Sequence, residues 1–306
     1  MKGSFGFFTE KFFQILYRKG VLVYNIVEVK WLMKYTNQAL KYIFRNFFYI
    51  FPFAILPAVC LALSLDNDAI RLLLTGIFKG EVDSSFWDVF HAVSFLCFHH
   101  WDNILSGLAG IFLLVFCISM LMAFLEKHMR IGKRTLNGLF AKINDNLIST
   151  GGICLLFFVI YEVWALILSA ILYFVCLVPQ PVVVAVVCGV VYLAAQFVLL
   201  SVIARLYLWL PCLQITGFRA FEALRYSHQL VAPVKARVIW EQFVSIFISN
   251  VLIAVTACFL PQAVWTTVVA TLLYAFMTLI FCVKMQVIYF DRDQRERADL
   301  RKYYHY

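Results

Sequence analysis

The sequence predicts an all-α integral membrane protein with six transmembrane helices arranged as three hairpins. Its 306 residues are 63% hydrophobic and only 14% charged, with a mean hydropathy of +0.86, which is too apolar for a water-soluble fold of this length. Six long apolar runs also occur along the chain. Lipid offers no hydrogen-bond partner for backbone N–H and C=O groups, so such runs must form helices.

Each predicted span is an apolar run of sufficient length to cross the bilayer. The spans cover residues 47–65, 104–125, 153–178, 182–203, 243–260 and 263–283. Pro179 and Pro181 separate the third span from the fourth, and Pro261 separates the fifth from the sixth, which predicts two tight hairpins. Pro52 and Pro57 remove backbone donors within the first span and predict a kink or local unwinding there.

Lysine and arginine mark one side of the predicted bilayer. Of the 26 such residues, only Arg71 and Lys79 lie in the loop 66–103, which also carries six carboxylates. The others lie before the first span, in the loops 126–152 and 204–242, and after the last span. Short loops that keep lysine and arginine stay in the cytoplasm. We therefore expect a multi-pass cell-membrane protein with both termini in the cytoplasm.

Amphipathic segments precede the first, third and fifth spans and predict cytoplasmic interfacial helices. These segments are residues 37–43, 137–143 and 221–227. The predicted domains are a cytoplasmic amphipathic segment (1–46), a transmembrane domain (47–283) and a charged cytoplasmic tail (284–306).

Two further segments are predicted to be helical. Residues 21–33 are too short to span and contain Glu28 and Lys30, which favours an interfacial helix over a seventh span. In the outer loop, apolar residues recur at helical spacing over residues 86–96, which predicts an amphipathic helix on the outer surface.

The net charge of +9 is explained by basic residues that face anionic lipid head groups, without a role for nucleic acid. The predicted partners are this bilayer and a protein in the membrane or cytoplasm.

Most of the nine cysteines lie in spans, and no Cys-x-x-Cys occurs. A metal site is matched only partly by His99, His100 and Asp102 with His91, and a solvated interface explains these residues equally well. We predict no metal and no cofactor.

Glu162 is a carboxylate inside the third predicted span. Charge in a bilayer core is costly, so such a residue is a functional-site hypothesis. The rise of a helix places Glu162 about 13 Å into its span, and Gln196 and Asn250 lie at similar depths, with Arg205 as the nearest basic partner. These residues predict a polar layer that binds a proton or substrate, or that joins packed helices. A shifted register would instead place Glu162 nearer the interface.

Four residues between the fourth and fifth spans carry a family resemblance. Arg205 and Pro211 precede Glu222 and Ser227 of a Glu-Ala-Leu-x-x-Ser-x-x-Leu element. With the tail 289–300, this segment resembles bacterial multi-pass proteins grouped with the glycerophosphoryl diester phosphodiesterase membrane domain. In that family the activity belongs to a separate barrel domain, for which the 23 residues after the last span leave no room. The resemblance implies a helical module of a bacterial plasma membrane without catalytic residues.

The sequence contains no Gly-x-Ser-x-Gly elbow, no His-Glu-x-x-His and no phosphate-binding loop. We therefore predict a non-enzymatic membrane scaffold, regulatory or lipid-handling component. The alternative is a small-molecule or ion transporter that uses the polar layer around Glu162.

Overall fold

The structure of the protein is a computed structural model that describes part of the chain. The described residues are 33–79, 85–96, 101–132, 134, 139–178, 180–259 and 263–296. Within them all regular secondary structure is helical, and six helices are long and apolar enough to cross a membrane. The predicted class of an all-α membrane protein with six spans is confirmed. Most of the predicted segments 1–46 and 21–33 and the end of the tail lie outside the described residues.

Ten α-helices and two short 3₁₀ turns follow one another in the described residues. They are α1 (Lys34–Leu63), α2 (Asn67–Lys79), α3 (Phe86–Val93), α4 (Trp101–Ile131), α5 (Leu139–Cys176), α6 (Pro181–Ile203), α7 (Trp209–Thr216), α8 (Ala220–Val231), α9 (Lys235–Phe259) and α10 (Ala263–Glu296), with the turns Ala204–Leu206 and Ala232–Val234. Each long helix packs against the next long helix, and α10 packs against α1. The six long helices therefore form a ring in sequence order, and the three predicted hairpins pack as pairs.

The short helices lie at the two ends of this ring. At the end where α1 finishes, α2 packs on α6 and α9, and α3 packs on α5. At the other end, α7 and α8 pack on α5 and α10. We call the first the acidic end, because it carries Asp66, Asp68 and Asp88, and the second the basic end, because it carries Lys34, Arg45 and the neighbouring basic residues.

Helix α3 is the amphipathic helix that the outer-loop pattern predicts. Ser85 accepts a hydrogen bond from the Asp88 N–H, and the Asp88 carboxylate accepts one from the Ser85 N–H, so each residue pairs a donor left open by the helix start. Val89 is fully buried and packs with Leu168 and Leu172 of α5. The helix is thereby fixed against the long α5.

Helix α1 begins well before the predicted span at residue 47. Tyr35, Ala39 and Ile43 have no exposed surface, and their spacing of four residues places them on one helix face. This part of α1 belongs to the core cluster that also contains residues of α10. The segment 37–43 is thus part of the bundle rather than a helix on its surface.

The break in α1 lies at Asn46 and not at the prolines. Asn46 has φ −121° and ψ 17°, whereas Pro52 and Pro57 lie in helical backbone. The side-chain Nδ2 of Asn46 donates to the Tyr42 carbonyl at 3.0 Å. Such a bond competes with the backbone bond that would continue the helix, which gives a local cause for the bend.

Helix α10 continues past the predicted end of the last span at residue 283. Lys284, Met285 and Ile288 are buried, as is Tyr289, so the first part of the predicted charged tail is core. Apolar side chains at helical spacing keep this segment packed. The charged Lys284 is stable in the core because it has hydrogen-bond partners within the protein.

The partners of Lys284 are the Thr36 hydroxyl and the Glu241 main-chain carbonyl, at the start of α1. Met33 provides no side-chain cap, which would leave the first N–H groups of the helix unpaired. Glu241 of α9, fully buried, accepts from the N–H groups of Tyr35 (3.2 Å) and Thr36 (2.7 Å). The Thr36 hydroxyl donates to the same carboxylate (2.7 Å) and accepts from the Lys284 ammonium (3.3 Å). Helices α1, α9 and α10 are joined at this point.

The outer faces of α5 and α6 carry exposed apolar side chains. Val163 of α5 and Val182, Val186 and Val190 of α6 are all more than half exposed. Apolar surface on this scale is unfavourable in water and natural in lipid, where the helices already satisfy their backbone groups. The outer surface of the bundle is therefore suited to contact with lipid.

The shared hydroxyl of Thr36 can be removed without a change of shape. We expect Thr36→Val to lower the midpoint of thermal unfolding in detergent, with a loss of about 1–3 kcal/mol in unfolding free energy, because buried charged groups lose a partner. The matched control is Thr75→Val in α2, whose hydroxyl bonds to the Arg71 carbonyl of its own helix (2.7 Å). A Thr36→Val midpoint equal to that of the unmodified protein would contradict this role.

Candidate functional site

Glu162 lies in α5 and binds the chain that follows α3. Its carboxylate accepts from the Ser94 hydroxyl (2.9 Å) and from the Phe95 N–H (3.1 Å). The neighbouring Tyr161 hydroxyl donates to the Val93 carbonyl (3.0 Å). These bonds satisfy backbone groups where α3 has ended, so the geometry favours an anchoring role for Glu162.

Among the described residues, Glu162, Gln196 and Asn250 of the predicted polar layer are not hydrogen-bonded to one another. Asn250 donates through Nδ2 to the Tyr192 hydroxyl (2.6 Å), which joins α9 to α6. Gln196 is buried in α6, and Arg205 is exposed in the following 3₁₀ turn. In the described part of the chain, Glu162 bonds to the segment after α3 and makes no ion pair with Arg205. The depth of a residue along a helix can be estimated from the sequence. The packing of α3 beside α5 cannot be predicted in this way, because it is a contact between separate segments.

Residues of the family-like motif stabilise the segment between α6 and α8, which contains α7. Ser227 is fully buried, and its oxygen accepts from the Leu208 N–H at 2.9 Å. The Glu222 carboxylate accepts from the Arg219 N–H at 3.2 Å. Pro211 is buried in the first turn of α7, where a missing N–H costs no helical bond. These contacts assign the motif a local structural role.

A cavity of about 600 Å³ opens at the basic end between α1, α4 and α10. Its polar wall is formed by three residues of α1, one of α4, one that follows α4 and one of α10. They are Gln38, Tyr42, Arg45, His128, Arg134 and Asp291, in that order. We call it the basic cavity. No sequence motif predicts this cavity, because its residues come from distant segments. Each of them is of a type that is common on the lysine- and arginine-rich side of a membrane protein.

Gly132 turns the chain so that Arg134 reaches the basic cavity. Its φ is +74°, and its N–H donates to the His128 carbonyl at 2.9 Å, an arrangement that ends a helix and that glycine adopts without steric cost. The Arg134 guanidinium then lies over the ring of Tyr49, 5.1 Å from its centroid. The arginine is held beside α1 by this stacking.

His128 connects Arg134 to Tyr42. The Arg134 Nε–H donates to His128 Nε2 at 3.3 Å. Arginine has no acceptor, so this ring nitrogen carries no proton, and the proton of the neutral imidazole is on Nδ1. Nδ1–H therefore donates to the Tyr42 oxygen. The hydroxyl hydrogen of Tyr42 remains to be donated elsewhere.

Positive charge dominates the basic cavity. Arg45 and Arg134 both act electrostatically on His128. The carboxylate in the wall, Asp291, is engaged by the Lys34 ammonium at 3.4 Å and by the Tyr35 hydroxyl at 2.7 Å. The wall thus offers guanidinium and hydroxyl donors, while its carboxylate is partly neutralised.

Comparison of the chain with protein-family models, curated proteins and solved structures finds no match. The fold therefore defines the class: a multi-pass helical membrane protein with six helices able to span a bilayer. The resemblance to the phosphodiesterase membrane domain stays a prediction.

Substitutions of Glu162 separate hydrogen bonding from charge. In Glu162→Gln the remaining oxygen can accept from the Phe95 N–H, and the new NH₂ can donate to the Ser94 hydroxyl, which then donates to the Leu96 carbonyl that it already contacts at 2.9 Å. We expect a thermal midpoint in detergent close to that of the unmodified protein.

Glu162→Leu is the matched comparison, and we expect it to cost about 1–3 kcal/mol of unfolding free energy because the Phe95 N–H loses its acceptor. Equal destabilisation by both substitutions would show that the charge itself is required. That result would contradict the anchoring role.

The turn at Gly132 gives a further test. Gly132→Ala should cost about 1–2 kcal/mol, because a residue with a Cβ is strained at this positive φ, even though a Cβ there meets no atom within 4 Å. The control is Gly152→Ala inside α5, where a Cβ also meets nothing and where alanine favours the helix. Thermal unfolding in detergent measures both, and equal shifts would contradict the account of this turn.

Proposed function

We propose that the protein is a non-enzymatic membrane component that handles lipid, and that it holds the head group of a membrane lipid in the basic cavity. The observation that carries this proposal is the cavity itself, which has two arginines in its wall and lies between three long helices. Pockets of this kind between membrane-spanning helices suit anionic head groups.

The proposed orientation supports this function. If the basic end faces the cytoplasm, as the distribution of lysine and arginine predicts, the basic cavity opens at the head-group level of the inner leaflet. The resemblance to bacterial membrane modules favours the plasma membrane of a bacterium. The lipid is then available to the cavity by lateral diffusion.

The surface beside the cavity suits acyl chains. Phe44 and Phe48 flank Arg45 on α1 and are 69% and 88% exposed. A lipid whose head group lies near Arg45 would place its chains along this apolar face, where aromatic side chains are stable in lipid. A soluble anion would gain nothing from these two side chains.

Two other roles are compatible with parts of the chain. The exposed basic and aromatic residues of α8, such as Phe221 and Arg225, are available to a protein partner in a scaffold or regulatory role. The transporter alternative has less support, because the carboxylate of Glu162 is occupied by hydrogen bonds to Ser94 and Phe95.

Native mass spectrometry of protein extracted from membranes in mild detergent tests the lipid proposal. We expect retained phospholipid, and we expect Arg45→Gln and Arg134→Gln each to weaken retention by about tenfold, because each removes a charge-assisted hydrogen bond. Arg71→Gln, at the exposed surface of the acidic end, is the control and should retain lipid. Absence of lipid from the unmodified protein, or equal retention by all variants, would contradict the proposal.

A further inference from the structure

We propose that the group recognised in the basic cavity is a phosphate, bound by the guanidinium groups of Arg45 and Arg134 and by the hydroxyl of Tyr42. The inference deepens the proposed function, on which it rests for the source of the ligand. The chemistry of the donors carries it separately.

The two arginines supply the charge. A guanidinium presents several N–H donors in a plane and binds a phosphate through two of them at once, which lysine cannot do. Arg134 uses its Nε–H on His128, so its terminal NH₂ groups are the ones that remain to face an anion. The stacking of this guanidinium on Tyr49 fixes its plane without using a donor.

Tyr42 supplies a neutral donor whose direction is set by its neighbours. Because His128 Nδ1–H donates to the Tyr42 oxygen, the tyrosine must donate its own hydrogen to another acceptor. Tyr42 lines the cavity together with both arginines. The chain Arg134–His128–Tyr42 thus ends in a hydroxyl hydrogen that an anionic oxygen can accept, and His128 is a positioning residue.

The charge of the acidic wall residue is partly neutralised within the protein. Asp291 pairs with Lys34 and accepts from the Tyr35 hydroxyl, and both contacts lie on the α1 side of the carboxylate. Three donors that converge on one cavity match the several acceptor oxygens of a phosphate better than a neutral hydroxyl group, which offers fewer acceptors and no charge.

The experiment measures ligand binding to the full-length protein in detergent by native mass spectrometry and by thermal shift. The probes are phosphatidylglycerol, diacylglycerol with the same acyl chains and inorganic phosphate. We expect phosphatidylglycerol to bind at least about tenfold more tightly than diacylglycerol, since only the former offers the charged acceptors.

Tyr42→Phe should weaken phosphatidylglycerol binding by about three- to tenfold and leave diacylglycerol binding unchanged, as expected for one neutral hydrogen bond. The matched control is Tyr173→Phe in α5, whose ring packs on Phe86 at the acidic end, and it should bind as the unmodified protein does. Because the comparison of probes uses the unmodified protein, the test stands even where a variant folds poorly.

The outcomes separate the two proposals. Equal binding of phosphatidylglycerol and diacylglycerol overturns phosphate recognition while lipid handling stands. Displacement of phosphatidylglycerol by inorganic phosphate at equal concentration supports phosphate recognition and overturns the lipid as its source. Binding of none of the probes overturns both.

Discussion

The structure depends on one constraint: neither lipid nor the buried interior of the bundle gives access to water, so polar groups there need a hydrogen-bond partner within the protein. Two carboxylates show how this is met. Glu241 pairs the unpaired amides at the start of α1, and Glu162 pairs an amide just after α3. In the first case a side chain from another helix pairs the open N–H groups of a helix start, and in the second it pairs an amide in the chain that follows a helix.

The same constraint explains why the candidate site lies at the basic end. There the helices can depart from regular geometry, because water and head groups pair the backbone. Helix α1 bends at Asn46, and α4 stops at Gly132 with a left-handed turn. Between the two departures the helices leave a space, into which Arg134 returns beside Tyr42. The proposed anion site lies between two local breaks in otherwise apolar helices.

The sequence predicts the fold better than the site. Composition and apolar runs suffice for the class, the six spans and the helix α3, because these depend on each segment and its solvent. Helix α1 begins before residue 47 and α10 continues past residue 283, where Thr36 and Lys284 are buried with partners from distant segments. Thr36 bonds to Glu241, 205 residues away in the sequence, and Lys284 bonds to both Thr36 and Glu241. The basic cavity forms only where three distant segments meet. In the sequence, nothing distinguishes Arg45 or Arg134 from the other arginines next to predicted spans.

The orientation of the ring in the membrane is the claim on which the functional account stands. It is tested most directly by labelling single cysteines in intact cells with a membrane-impermeant maleimide, after replacement of the native cysteines. The chosen positions are Asp68→Cys at the acidic end and Arg225→Cys at the basic end, both exposed. The account predicts that the first is labelled in intact cells and the second only after permeabilisation. Labelling in the opposite order would place the basic cavity on the outer surface and contradict it.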